Sequence, residues 1–81
     1  MATQTLGSLL RTGRIYVGLT QAEAAERAAI PKQRWSETER GKRPSDPAVV
    51  ARMLRAVGVR PGTETWTRAV TLYVPALMVR R

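Results

Sequence analysis

The sequence predicts an all-α protein, a compact bundle of four to five helices, and three observations lead to that class. Apolar residues recur at steps of three and four over most of the chain. The periodic segments open at Thr20, Pro31, Asp46-Pro47 and Thr63, each suited to a helix N-terminus. They close at Gly18, Gly41 and Gly58, where glycine takes up the left-handed conformation that ends a helix at little cost. A chain of 81 residues makes one small domain and little more. We expect a single domain over residues 1–81, with a core motif over 6–59 and a segment 60–81 that closes the core or forms a dimer.

Helix 1 is expected from Thr5 to about Val17, with Leu6, Leu9, Leu10, Ile15 and Val17 mostly at helical spacing and Gly18 as its stop. Helix 2 runs from Gln21 to Ala28. Thr20 is its N-cap, and Glu23 sits three residues on, where its carboxylate can return to the cap amide as a capping box. Helix 3 begins at Pro31 or Lys32, since proline is tolerated in a first helical turn, and ends at Arg40. Helix 4 starts at Asp46-Pro47 and carries a buried stripe of Val50, Met53, Leu54 and Val57, with Arg52 and Arg55 on a solvated outer face. The last segment is ambiguous: Trp66, Val70, Tyr73 and Leu77 fit a helix, whereas Val70, Leu72 and Val74 fit a strand. A fifth helix from Thr63 to about Val74, capped by Thr63 and broken near Pro75, is the favoured reading.

Composition removes most enzymatic chemistry. The chain has neither cysteine nor histidine, which excludes disulfides, thiolate metal sites and the common Ser-His and Cys-His nucleophile arrangements. Glu23 and Glu26, three residues apart on helix 2, read as capping or solvated groups. Gly58 and Gly62 flank a turn without the Lys-Ser/Thr of a nucleotide-binding loop. No cofactor and no metal are expected. Fourteen Lys and Arg against six acids leave a formal charge of +8, which favours a polyanionic partner, nucleic acid above all. The first residues lack the pattern of a secretory signal, and the longest apolar run, Val74 to Val79, is interrupted by Pro75 and too short to span a bilayer. No membrane association and a cytoplasmic location are expected.

At 100° per residue, Lys32, Gln33, Ser36, Glu37 and Arg40 share one side of helix 3, while Pro31, Trp35 and Thr38 share the other. One side reads and the other packs. The polar side matches major-groove chemistry: Gln pairs with adenine, Lys donates to guanine, Glu accepts from cytosine N4 and Ser serves either way.

From Gly18 to Ser45 the chain reads as two short helices joined by a tight turn. Leu19-Thr20-Gln21, the helix 2 alanines and Ser36-x-x-Glu39-x-Gly41 followed by Pro44 resemble the lambda-repressor-like helix-turn-helix (Xre/Cro/C1) family. The resemblance extends from about Leu6 to Val59. It implies that the first turns of helices 2 and 3 face DNA, with Gln21, Lys32, Gln33, Ser36 and Glu37 at base-reading positions. Thr20, Arg34, Arg40, Lys42 and Arg43 fall where such proteins hold the phosphates. Arg14 and Glu39 match a partly buried ion pair joining helix 1 to helix 3, a structural role. Ala24, Trp35, Thr38 and Ala29 depart from the family pattern. We expect Trp35 to fill the space that a larger residue at Ala24 would take, against the alternative that it is exposed and stacks on DNA. Ala29, in place of a turn glycine, is expected to strain the turn.

The function implied is a sequence-specific transcriptional regulator of double-stranded DNA, a small bacterial or bacteriophage Cro/C1-type repressor. It would bind an inverted-repeat operator as a homodimer through Trp66, Val70, Tyr73 and Leu77. The alternatives are the DNA-binding antitoxin of a toxin-antitoxin pair, gripping a protein partner through the carboxy-terminal segment, and a protein-interaction module on the same fold.

Overall fold

The computed structural model describes residues 5–42, 44 and 46–73. They form α1 (Leu6–Tyr16), α2 (Gln21–Ala28), α3 (Lys32–Glu39), α4 (Pro47–Ala56) and α5 (Glu64–Tyr73), with no strand among them. The ambiguous segment is thus helical through Tyr73, and the expected break at Pro75 lies outside the described residues.

Four of the five helices begin where a side chain takes up otherwise unpartnered amides; α3 instead follows Pro31, whose side chain makes no cap hydrogen bond. Thr20 and Glu23 form the capping box: Thr20 Oγ1 accepts from the Glu23 amide at 3.1 Å, and a Glu23 carboxylate oxygen accepts from the Thr20 amide at 2.9 Å. These contacts with the Thr20 backbone and side chain hold the Glu23 carboxyl below its ordinary pKa. Thr5 and Ser8 form a second capping box that opens α1, which the sequence reading did not identify because a serine stands where Glu or Gln is usual. Asp46 and Thr63 cap α4 and α5, accepting from the amides of Ala48 and Trp66.

The first four helices end in one way. A left-handed residue follows the last turn, and the amide after it reaches back five residues: Leu19 to Arg14, Ile30 to Ala25, Lys42 to Glu37 and Val59 to Leu54, all at 2.9–3.0 Å. The left-handed positions are Gly18, Ala29, Gly41 and Gly58. Ala29, with φ 59° and ψ 43°, is the only non-glycine residue with positive φ among the described residues, so the expected strain sits inside the helix-turn-helix turn. Arg52 of α4 secures that turn by donating from Nε to the Ala28 carbonyl at 2.9 Å. Arg52, exposed on the outer face of α4 as the sequence predicts, thereby also closes the end of α2. Arg55 lies over the Trp66 ring at 5.9 Å, a cation–π contact between α4 and α5.

One core is shared by all five helices. Leu6, Leu9 and Leu10 of α1 meet Val49, Val50, Met53 and Leu54 of α4, with Ala69 of α5 buried beside them. The α2 helix contributes only alanines, Ala24, Ala25 and Ala28, and the wholly buried indole of Trp35 enters from α3. That arrangement fits the expected exchange of volume between Ala24 and Trp35 and overturns the alternative of an exposed Trp35 stacking on DNA. Pro31, expected on the packing side of helix 3, is exposed because it precedes the helix as its N-cap. Ile15 and Val17, counted with the apolar residues mostly at helical spacing in helix 1, are 53% and 42% exposed. Five residues past Leu10, Ile15 is rotated about 140° from the buried face, and Val17 caps the helix.

The approach of α1 to α3 is set by a buried glycine. A Cβ at Gly7 would collide with the carbonyl oxygens of Thr38 and Glu39, so backbone meets backbone where α1 crosses the last turn of α3. Gly7→Ala, ordinarily favourable in a helix, is expected to destabilise the protein by about 1–3 kcal/mol through overpacking; an unchanged urea midpoint would show that the helices can separate freely. Ala29→Gly should act in the opposite direction. Relief of a left-handed alanine, about 1–2 kcal/mol, exceeds the added unfolded-state entropy of glycine, about 0.5–1 kcal/mol. A higher melting temperature by calorimetry is the expected result.

Candidate nucleic-acid interface

The helix that offers the polar face is held from behind by one buried carboxylate. Glu39, in the last turn of α3, is 4% exposed in its side chain and Arg14, on α1, 13%. Arg14 Nε donates to Glu39 Oε2 at 2.7 Å and its NH2 group to Oε1 at 3.3 Å, a two-point guanidinium–carboxylate pair. The third arm of Arg14 donates to the Leu19 carbonyl at 2.8 Å. Two further donors complete the carboxylate: Trp35 Nε1 to Oε2 at 2.6 Å and Gln21 Nε2 to Oε1 at 3.0 Å. Burial raises the Glu39 pKa, but hydrogen bonds from Arg14, Gln21 and Trp35, with the Arg14 charge, outweigh it and hold the carboxyl below its ordinary value. The expected ion pair between helices 1 and 3 is present. The Trp35 contact was not anticipated, although an indole four residues before Glu39 on one helix lies within reach.

The opposite side of α3 faces outward. Lys32, Gln33 and Arg34 are exposed, Ser36 and Glu37 half-buried, and Arg40 and Lys42 exposed beyond the helix. Several of these side chains partner each other. Gln33 Nε2 donates to Glu37 at 3.4 Å, Lys42 Nζ lies 3.6 Å from the same carboxylate, and Arg40 donates to Ser36 Oγ at 2.8 Å. Such exposed contacts are worth little, so they can be exchanged for contacts to another molecule at small cost. Behind them Thr38 is buried and donates its hydroxyl to the Arg34 carbonyl at 3.0 Å. Thr20 is exposed and Gln21 half-buried at the start of α2, on the side of the Glu39 carboxylate.

The structure thus gathers Lys32, Gln33, Arg34, Ser36, Glu37, Arg40 and Lys42 on α3 and its C-terminal end, and links Gln21 to that helix through Glu39. Arg43 lies outside the described residues. Among the residues expected to pair two chains, Trp66 is partly buried against the protein's own core, Val70 is half-buried, the Tyr73 side chain is not described and Leu77 lies outside the described residues. An apolar edge lies beside α5: Tyr16 is 90% exposed next to Ile15 and Val17, at the rim of a groove that Val57, Val59 and Thr65 also line. No helix of the described residues is long and apolar enough to cross a membrane.

Five helices, a tight turn between α2 and α3 and an outward polar face on the second of them define a helix-turn-helix architecture. The helix-turn-helix domain family matches residues 5–66. The chain belongs to that family of DNA-binding domains. No curated protein matches the chain.

Removing the carboxylate at the centre of this arrangement tests what it holds. Glu39→Ala leaves Arg14 buried without its partner, and a loss of about 3–5 kcal/mol is expected, read as a large fall in melting temperature. The depressed pKa adds a pH signature. The stabilising contribution of Glu39 is complete above its ordinary value of 4.5 and is lost as the pH falls through its lower folded-state value. Calorimetry from neutral to acid pH should show the stability of the wild type falling in that lower range, and an acid limb identical in Glu39→Gln would contradict the assignment.

Proposed function

We propose that the protein is a sequence-specific regulator of transcription, a small repressor of the Cro/C1 type from a bacterium or bacteriophage, that reads the major groove of double-stranded DNA with α3. The observation that carries the reading is the two-sided character of α3: Trp35, Thr38 and Glu39 anchor it inward, and Lys32, Gln33, Ser36 and Glu37 project from a rigidly backed surface. In this reading Gln33 and Lys32 favour purines, Glu37 favours cytosine, and Thr20, Arg34, Arg40, Lys42 and Arg43 grip phosphates, which fix register without specifying sequence. Gln21 joins the base-reading set from α2. The chemistry is recognition and not catalysis, and the place of action is the cytoplasm.

One α3 spans only a few base pairs, so we further propose a homodimer on an inverted repeat with half-sites about one helical turn apart, ~34 Å. The exposed Tyr16, the adjoining groove and α5 supply apolar surface for such pairing. That same edge favours a second reading, a DNA-binding antitoxin whose apolar surface receives a toxin; co-purification with the product of an adjacent gene separates the two.

Selection from a random-duplex library, followed by titration of the enriched sequence at several salt concentrations, tests the proposal. An enriched inverted repeat is expected. Gln33→Ala should then relax preference at one base pair by about 1–3 kcal/mol, whereas Arg40→Ala should weaken all duplexes alike and reduce the salt slope by roughly one. Binding without enrichment would identify a non-specific phosphate binder, and absence of binding would overturn the DNA-reading function.

A further inference from the structure

Gln21 donates from Nε2 to Glu39 Oε1 at 3.0 Å. A carboxylate has acceptors only, so the Gln21 amide must turn its NH2 group inward, and its carbonyl oxygen is left for the outer side. The carboxylate is itself fixed. Trp35 and Arg14 Nε hold Oε2 at 2.6 and 2.7 Å, and the second Arg14 arm reaches Oε1, so Glu39 cannot rotate to release the amide without losing the ion pair. Resting on the DNA-reading function above, we infer that Glu39 is a positioning residue that sets which hydrogen-bonding face Gln21 shows to DNA. The chain from Arg14 and Trp35 through Glu39 to Gln21 then links the core to the recognition surface, beyond fixing the angle of α3.

Glu39→Gln exposes this role, because the neutral amide retains nearly the same shape. Its single remaining oxygen is required where Trp35 and Arg14 Nε make the two shortest contacts, which places its NH2 at the former Oε1 position. Gln21 then faces a donor instead of an acceptor. Its amide must invert, carbonyl inward and NH2 outward, and the pattern offered to a base or phosphate is reversed.

The test is a double-mutant cycle on the duplex enriched from the random library, with Glu39→Gln, Gln21→Ala and the pair. Glu39→Gln should weaken binding about fivefold when Gln21 is present and less than twofold when residue 21 is alanine, the non-additivity of coupled neighbours. Equal losses in both backgrounds would mean that Glu39 acts only through the fold and would overturn the inference. A measurement without DNA stands beside it: in the free wild type, NMR should show Gln21 side-chain amide protons protected and shifted from those of a freely rotating glutamine. Free-glutamine shifts would overturn the inference even if Glu39→Gln does not fold. Failure of the DNA-reading function appears differently, as a wild type that enriches no duplex, and takes the positioning role with it whatever the amide shows.

Discussion

A carboxylate withdrawn from water is unfavourable unless its lone pairs are filled and its charge is matched. Glu39 meets both conditions by drawing donors from α1, α2 and α3 at once, with the Arg14 guanidinium as counter-charge. This requirement constrains the rest of the fold. Arg14 must stand at the end of α1, and it also holds the Leu19 carbonyl that leads into α2. The backbone of α1 must come close to α3, which only a residue without a side chain permits at Gly7. The desolvation cost leaves the net stability from the pair small, but the cost of breaking it is high. Its main effect is therefore to make one arrangement of three helices far better than its neighbours.

Helices of eight residues, the length of both α2 and α3, do not persist alone in water. Their definition comes from their ends and from the core. The Thr20 and Glu23 capping box opens α2 and Pro31 leads into α3, left-handed residues close both, and the amide that reaches back five residues fixes where the chain turns next. The α2–α3 turn is the one place where this economy is broken, since Ala29 adopts a conformation that glycine takes more readily. Arg52 binds the carbonyl of the preceding residue and holds the turn from the side of α4. The small residues of α2 let its neighbours approach closely, and Trp35 supplies the volume that three alanines do not.

Most of this fold is legible in the sequence because its signals are local. The Thr20 and Glu23 box, the Asp46-Pro47 start, the Gly41 and Gly58 stops and the stripe through Met53 and Leu54 each depend on residues a few positions apart. The spacing of residues on helix 3 likewise separates an outward polar side from Trp35 and Thr38. Much of what escaped is long-range. Nothing local distinguishes Gly7 from any other helical glycine, because its role depends on carbonyls more than thirty positions away. Ile15 and Val17 are apolar like Leu9 and Leu10, but Ile15 is turned away from the buried face and Val17 lies past the end of α1. The pair of Arg14 and Glu39 came from family resemblance and not from spacing. Gln21 emerges as a further partner only when the helices are assembled, whereas Trp35 reaches Glu39 from one turn earlier on the same helix.

The same distinction applies to charge. A formal +8 suggests a polyanion, yet it does not say which cations meet it. Arg14 is buried against Glu39, Arg52 is bound to the end of α2 and Arg55 lies over Trp66. These three arginines tie helices to one another, Arg14 with all three arms of a largely buried guanidinium and Arg52 and Arg55 from exposed positions. Lys32, Arg34, Arg40 and Lys42 are exposed, and the two of them with polar partners, Arg40 and Lys42, hold them only through weak surface contacts. Phosphate attraction grows with the number of cations that can reach the backbone, so the free cluster on α3 and its C-terminal end bears more on DNA affinity than the total charge does. Contacts within the protein thus divide chemically identical side chains into a set engaged by the fold and a set that remains available to bind.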